Sequence, residues 1–472
     1  METFPMYVAG EFRMTSQEIM IINPFTSEVF ARASRAESED LEFAIQKGLV
    51  VEKEMASMSV YLRREILLQI AEGITRTHDR FTSLIVQECG KPWKYASAEV
   101  DRAIATFIIA AEETKRWPAE HLSIDWTAAG LGKEAWLKYF PIGLVAGISP
   151  FNFPLNLAVH KLAPAIAAAC PIILKPSSST PLSMLELARV IDTTALPKGA
   201  VSILPMDRAL GNTLASDLRF KLLSFTGSPA VGWKLKNESG RKHVVLELGG
   251  NAGVIVSDSA DLNLAVRKCV MGAFSYSGQV CIHTQRIFVH ASVFKEFCER
   301  FVAQSLMIKT GDPMDPTTDI SVMIDEKNAI RVESWVNEAL NDGAKLLCGG
   351  KRQGAYYPPT VLMETKPEMK VCSLEVFGPV VTIEPYHDFA EAVRLINQSE
   401  YGLQAGVFTD RLSEMNLAFA ELEVGGVIIN DVPTFRVDHM PYGGVKNSGQ
   451  GREGVKYAMV DMLEPKLLVK NT

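Results

Sequence analysis

The chain lacks most of the devices by which a sequence signals a metal, a disulfide framework or a nucleic-acid partner. Its seven cysteines, Cys89, Cys170, Cys269, Cys281, Cys298, Cys348 and Cys372, stand singly, with no CxxC pair and no Cys/His ligand spacing. That argues against a metal site of the zinc type and against disulfides. Free thiols in so long a chain point to a reducing, cytoplasmic compartment. There is no basic run, and 48 Lys and Arg against 55 Asp and Glu leave a net charge of -7, so nothing favours a nucleic-acid partner. No GxGxxG follows an apolar strand, so the ordinary dinucleotide fingerprint is missing. At the amino terminus, Glu2, Glu11 and Arg13 interrupt any signal-peptide h-region. The stretch Tyr139 to His160 has no Asp, Glu, Lys or Arg, but Pro141, Pro150 and Pro154 break it. Asn152 and Asn156 within it would lie unpaired in lipid, so no membrane span is expected.

What is present is ordinary globular material in quantity. The 472 residues are 47% hydrophobic and 22% charged, which predicts two or three domains. LEFAIQKGLVVEKEM, YLRREILLQIAEGITRTHDRFTSLIVQEC and AEVDRAIATFIIAAEETKRW carry apolar residues at helical spacing. From about Gly143, strand-length apolar runs alternate with helical segments: GLVAGIS, PIILKP, AVSILP, KLLSFTG and HVVLELGG. This β-α repetition predicts a mostly parallel, doubly wound sheet. A second α/β region follows from about Asn251 to Gly426. EAWLKYFPIG and PKLLVKNT read as peripheral strands, for which subunit association is a natural outlet.

In a doubly wound sheet, ligands bind at the carboxyl ends of strands. FTGSPAVG places Gly227 at a turn, with Ser228 as helix cap and Pro229 in first helical position. Free N–H groups there favour a phosphate; a plain strand–turn–helix joint fits the same letters. Lys175 ends an apolar strand in KPSSSTP, where it could meet ribose hydroxyls or simply reach solvent. PFNFP sets Asn152 between aromatics and prolines, as an oxyanion donor or a turn former. LELGGN puts Glu247 at a strand end before two glycines, as a general base or a surface acid. GQVCIHTQR places the Cys281 thiol among small and polar neighbours.

Together these motifs resemble the NAD(P)-dependent aldehyde dehydrogenase superfamily over nearly the whole chain. PFNFP (150–154), LKPSSSTP (174–181), FTGS (225–228), LELGG (246–250), GQVC (278–281), EVFGPV (375–380), YGLQAGVFT (401–409) and PYGGVKNSGQGREG (441–454) occur in family order. The resemblance implies an α/β fold: a Rossmann-like doubly wound cofactor domain, an α/β catalytic domain and a β oligomerisation arm. Their expected limits are 1–118 with 141–249, 250–440, and 119–140 with 455–472 as arm and tail. It further implies that Cys281 attacks the aldehyde and that Asn152 and the Cys281 N–H hold the oxyanion. Glu247 would activate the water that hydrolyses the thioester. NAD or NADP would be the cofactor, with Lys175 and Glu375 at its riboses. Gly227 and Ser228 would sit at the pyrophosphate, Ser178 beside a ribose, and Phe377, Pro150 and Phe151 along the cleft. A homodimer or homotetramer is implied as well.

Two departures matter. Many NAD-preferring members carry Glu where Ser178 stands, so NADP should be tolerated. Members that oxidise a phosphorylated triose have Arg where Val280 stands, which disfavours that substrate. INDVPTFRVDHMPYGGVKNSGQGREG resembles the branch of lactaldehyde and phosphonoacetaldehyde dehydrogenases. His160, placed about two helical turns after Asn152, with Arg436, Arg102 and Phe153, is expected near the far end of a small polar or anionic aldehyde. Structural ion pairs at Arg102 and Arg436 are the competing expectation. Other functions weighed are a CoA-acylating semialdehyde dehydrogenase, against which Glu247 argues, and a catalytically silent nucleotide-binding scaffold, against which Cys281 and Asn152 argue.

Overall fold

The computed structural model describes residues 1–117 and 119–471. The expected boundary at residue 118 and the final tail residue, Thr472, lie outside them.

The apolar runs after Gly143 form strands buried on both faces, which is why they read as continuous rather than alternating. Val145–Ile148 lies at the centre of an eight-stranded sheet. Ile172–Lys175 and Val201–Ile203 add in parallel on one side. The chain then crosses back, and Leu222–Thr226 and His243–Glu247 add in parallel on the other. The sheet is therefore doubly wound, and the reversal opens a crevice beyond the carboxyl ends of Val145–Ile148 and Leu222–Thr226. Gly449–Gln450, from near the end of the chain, closes one edge antiparallel to His243–Glu247.

A seven-stranded sheet repeats the device. Ala252–Val256 pairs in parallel with Thr284–His290 on one side and Gln404–Phe408 on the other. Val380–Tyr386 and Gly426–Ile429 extend it in parallel. A third, antiparallel sheet of three strands joins Leu463–Asn471, Lys133–Pro141 and Glu120–Ser123. It matches the strands expected at the periphery.

Helix Asn156–Ala167 packs on the first sheet and is buried over all twelve residues. Each fully buried Leu, Ile or Val on it contributes about 1.5–3 kcal/mol. The same burial makes Asn156, His160 and Lys161 costly unless each finds a partner. The helix begins at Asn156, so Asn152 lies in the preceding turn, and Asn152 and His160 are not joined by two turns of continuous helix as expected. A second correction concerns Ser228. It stands at the cap of helix Pro229–Glu238, but its side chain makes no capping hydrogen bond. The first N–H groups of that helix are left for something else.

Candidate active site

The loop before Cys281 is wound the wrong way for ordinary residues. Tyr276, Ser277 and Gly278 are consecutively left-handed, at φ 49°, 52° and 66°. Left-handed backbone costs a non-glycine residue roughly 1–2 kcal/mol, so neighbours must hold it. Ser277 Oγ donates to the Ser321 carbonyl at 2.9 Å, and Tyr276 OH to the Cys89 carbonyl at 3.3 Å. The buried Lys91 ammonium lies 4.5 Å from the Tyr276 ring and 3.9 Å from that of Phe153. Gly278 must be glycine for a second reason: a Cβ there would stand 2.1 Å from the Gly378 carbonyl oxygen. The thiol loop is thus pressed against the segment that carries Glu375 and Phe377.

Asn152 reaches the same loop, its Nδ2 donating to the Gln279 carbonyl at 3.0 Å. An amide nitrogen has two hydrogens, so one remains. Cys281 is half-buried, and its Sγ lies 3.1 Å from the Tyr442 hydroxyl. Burial pushes the thiol up to about 12, against the opposing hydrogen bond from Tyr442.

Glu247 ends its strand, buried, with no hydrogen-bond partner for either oxygen among the described residues. Burial raises its carboxyl well above the usual range, and the negative charge of Glu453 raises it further. Arg436 and Lys161 pull the other way. A Cβ at Gly443 would come within 2.7 Å of Oε1, so the chain passes Glu247 closely on that side.

Behind these groups lies a buried charge network. Asp438 accepts from Arg102 at 2.7 Å, His160 Nε2 at 2.8 Å and Asn156 at 3.2 Å. Burial alone would raise its carboxyl, but the His160 hydrogen bond and the Arg102 charge hold it well below the usual range. His160 is shifted down, chiefly by burial and by Arg436. That shift favours the neutral ring, in which Nε2 donates to the Asp438 carboxylate and Nδ1 is an acceptor with no partner among the described residues. Glu453 accepts from Lys161 at 3.1 Å and from Arg436 at 2.9 Å. Those two cations lower its carboxyl in spite of burial. Arg436 also lies 3.7 Å from the centre of the Tyr442 ring, and its Nε has no partner among the described residues. Three cations, Arg102, Lys161 and Arg436, thus face two ionised carboxylates.

The crevice of the first sheet is a cleft of about 440 Å³. Lys175, Ser178, Gly227, Ser228, Pro150 and Phe151 line it, as expected, and Arg208 joins them. Burial lowers the Lys175 ammonium to about 8. Ser178 Oγ donates to the Met206 carbonyl at 3.2 Å. Glu375 accepts from the Gly250 N–H at 2.9 Å, and burial raises its carboxyl to about 7. Phe377, left-handed at φ 46°, stands edge-on to Phe151 at 5.8 Å.

The structure therefore gathers Cys281, Asn152 and Glu247 at the junction of the two large sheets, beside a nucleotide-sized cleft. Arg102 and Arg436 are engaged in ion pairs, in line with the competing expectation, although Arg436 Nε has no partner among the described residues. Phe153 packs on Lys91, with the Arg102 guanidinium 6.0 Å from its ring. Sequence reasoning missed Tyr442, Asp438, Glu453 and Lys161 as site residues. The signal for three of them lay inside PYGGVKNSGQGREG and RVDHM, quoted only as family letters. Among the described residues, no group of three or more His, Cys, Asp or Glu could hold a metal ion, and no helix is long and apolar enough to cross a membrane.

An acid at a strand end, an amide donor in the turn after another strand and a thiol in the loop before a third are the equipment of carbonyl oxidation. The chain belongs to the aldehyde dehydrogenase family, whose model matches residues 12–468. It is 40% identical over 469 residues to a 3-sulfolactaldehyde dehydrogenase of Priestia aryabhattai, spanning 99% of this chain and 98% of that protein. Among solved structures it is similar to aldehyde dehydrogenase 21 of Physcomitrella patens in complex with the reaction product succinate. There the TM-score is 0.98 and the identity 43%, over 100% of this chain and 98% of that one. It is similar also to the glyceraldehyde-3-phosphate dehydrogenase GapN of Methanocaldococcus jannaschii complexed with NADP. That match has a TM-score of 0.93 and 36% identity, over 97% and 100% of the two chains.

Proposed function

We propose that this protein oxidises a small aldehyde with a negatively charged far end to the carboxylic acid, using NAD or NADP, with Cys281 as nucleophile and Glu247 as base. The observation that carries the reading is the convergence of the Cys281 thiol, the Asn152 amide and the unpartnered Glu247 carboxyl where the two sheets meet.

The cleft fits the cofactor. Lys175 is desolvated, with only its neighbour's carbonyl as acceptor among the described residues, and the Ser228 side chain leaves the start of helix Pro229–Glu238 uncapped. Lys175 and Glu375 would hold the riboses, and Gly227 and Ser228 the pyrophosphate. Pro150, Phe151 and Phe377 would wall the nicotinamide end, and Ser178 leaves room for a 2′-phosphate. When bound, NAD(P)+ supplies the hydride acceptor.

The chain's own groups do the rest. The Cys281 thiolate attacks the aldehyde carbon, a C–S bond forms, and the carbonyl electron pair moves to oxygen. That oxyanion meets the free hydrogen of the Asn152 amide and the Cys281 N–H. After oxidation the carbon is a thioester on Cys281. Glu247, once deprotonated, takes a proton from water as the water oxygen attacks that carbon. The C–S bond breaks, the acid leaves and the thiolate returns.

The far end of the substrate follows from the charge network. The cations Arg102, Lys161 and Arg436 outnumber the ionised carboxylates of Asp438 and Glu453, and Arg436 Nε has no partner among the described residues. A carboxylate or sulfonate tail supplies the missing charge. The names of the Priestia and Physcomitrella relatives support the same class. Val280 disfavours a phosphate tail. Outside the site, the exposed edge strand Leu463–Asn471, with Leu467, Leu468 and Val469 facing solvent, suits the oligomerisation arm of a homodimer or homotetramer. The remaining limits, 1–118 with 141–249 and 250–440, suit the two large sheets, and the unpaired thiols suit the cytoplasm.

The test is reduced-nicotinamide formation from a panel of aldehydes, with NAD and NADP separately and no CoA. Succinate semialdehyde, sulfolactaldehyde, lactaldehyde, glyceraldehyde 3-phosphate and an aromatic aldehyde make the panel, with Cys281→Ala as control. Turnover lost in the control and highest for the carboxylate and sulfonate substrates is expected. Turnover that survives in Cys281→Ala refutes the chemistry, and a preference for uncharged aldehydes refutes the substrate class.

A further inference from the structure

The Cys281 thiol needs help that none of the proposed site residues supplies. A nucleophilic cysteine normally has a histidine, a lysine or a helix amino terminus beside it. Here the charged or titratable groups that bear on the sulfur are Glu247, Glu375, Arg436 and Tyr442. The two glutamates oppose a thiolate, and Arg436 acts from behind the Tyr442 ring. The group in contact with the sulfur is the Tyr442 hydroxyl, at 3.1 Å.

Tyr442 is held more firmly than a pocket-filling aromatic requires. It is 2% exposed and packs with Ile282 and Leu403. Its backbone is bridged both ways to Glu453, with N–H to O distances of 3.0 and 2.6 Å. Glu453 fixes Arg436, and the Arg436 guanidinium lies over the ring. Backbone, carboxylate, guanidinium and ring close a circuit that aims one hydroxyl at one sulfur. The cation over the ring withdraws electron density and makes that hydroxyl a better donor.

We propose that Tyr442 is a further catalytic residue, whose hydroxyl donates to the Cys281 thiolate and holds the sulfur in place between attacks. While Cys281 is a thiol, either group can donate. Once the proton has left, the sulfur only accepts, so the phenol O–H must be the donor. When the C–S bond forms, the sulfur loses its charge and the hydrogen bond weakens. When the acid leaves and the thiolate returns, the bond is restored. The phenol keeps its proton throughout, and no further reactant is needed.

The proposal rests on Cys281 being the nucleophile, and its test reads the thiol without turnover. Iodoacetamide labelling of Cys281 in the cofactor-free enzyme, followed by peptide mass, is measured against pH for wild type and Tyr442→Phe. A hydrogen bond to a charged group shifts a titration by about one to two pH units. The midpoint should therefore rise by about that much in Tyr442→Phe, which retains the ring under Arg436. Kinetic kcat/KM profiles should move with it. A monofluorinated tyrosine at position 442, with a more acidic hydroxyl, should lower the midpoint and preserves packing if the phenylalanine variant folds poorly. An unchanged midpoint in either variant overturns the proposal. Failure of the nucleophile reading looks different, because Cys281→Ala would then keep turning over whatever the labelling shows.

Discussion

Replacing Arg436 by methionine tests the substrate class most directly. The change keeps a long apolar stem in a site that is 6% exposed at the side chain and removes one positive charge. Glu453 keeps Lys161 at 3.1 Å, so no carboxylate is left bare, and the protein should fold with a lowered Tm. Removing one partner of a buried pair and leaving the other bare costs about 3–5 kcal/mol, and this variant should fall short of that because Lys161 remains on Glu453. Arg102 and Lys161 now balance Asp438 and Glu453, and the surplus that attracts an anionic tail is gone. A hydrogen bond to a charged group contributes about 1.5–3 kcal/mol. Converted to rate, that is a fall in kcat/KM of roughly tenfold to a hundredfold for succinate semialdehyde. Propionaldehyde, with no charged end, should change little. The assay is the ratio of the two kcat/KM values in wild type and variant. A parallel fall in both would refute the reasoning, because it would show that Arg436 acts only through Glu453 and Tyr442.

Three other perturbations should behave as follows. Glu247→Gln should give one burst of reduced nicotinamide and then stall, with steady-state turnover down about 10²–10⁴-fold, as stopped-flow absorbance would show. Because burial raises the Glu247 carboxyl, its contribution to stability is complete below the unfolded carboxylate pKa and is lost as pH rises through the folded value; the glutamine variant should therefore gain on wild type in Tm at alkaline pH. Asp438 is shifted the opposite way, so it stabilises the fold above the unfolded carboxylate pKa of about 3.9 and loses that contribution as pH falls through the folded value. Asp438→Asn should cost about 3 kcal/mol at neutral pH in denaturant titrations and show a flatter acid limb of Tm against pH. Ser178→Glu should repel a 2′-phosphate and raise the NAD-over-NADP ratio of kcat/KM roughly tenfold or more, read from the two cofactors at one aldehyde concentration.

Much of this was legible from local pattern. Strand-length apolar runs gave away the doubly wound sheets, because parallel strands are buried on both faces. Glu247 and Lys175 end such runs and Asn152 follows one, at the strand ends where α/β sheets keep their chemistry, whereas Cys281 lies in the loop before a strand. What stayed hidden was relational. Asp438 and Glu453 look like surface acids in a polar, glycine-rich stretch. Nothing local says that His160, 278 residues earlier, and Lys161, 292 residues earlier, need them. Tyr442 reads as one aromatic in a glycine turn until the fold brings it to the sulfur. The left-handed run at Tyr276 and Ser277 is equally silent, since neither residue type favours that backbone. The missing cap at Ser228 shows the limit from the other side: the letters Ser-Pro opened a helix as expected, but the hydroxyl did not make its bond.

The long reach of the Asp438 contacts bears on the order in which the protein is made. Arg102 meets Asp438 across 336 residues of chain. At ribosomal speeds of roughly 5–20 residues per second, Arg102, His160 and Lys161 are synthesised on the order of tens of seconds before the acids that neutralise them. Until then helix Asn156–Ala167 carries charge it cannot bury, so its docking belongs late in the emergence of the chain. The thiol and the carboxyl at positions 281 and 247 exist well before that point, but Tyr442, whose hydroxyl lies 3.1 Å from the sulfur, is added only near the end of synthesis. The Cys281 thiol thus emerges long before the hydroxyl that meets it in the folded chain.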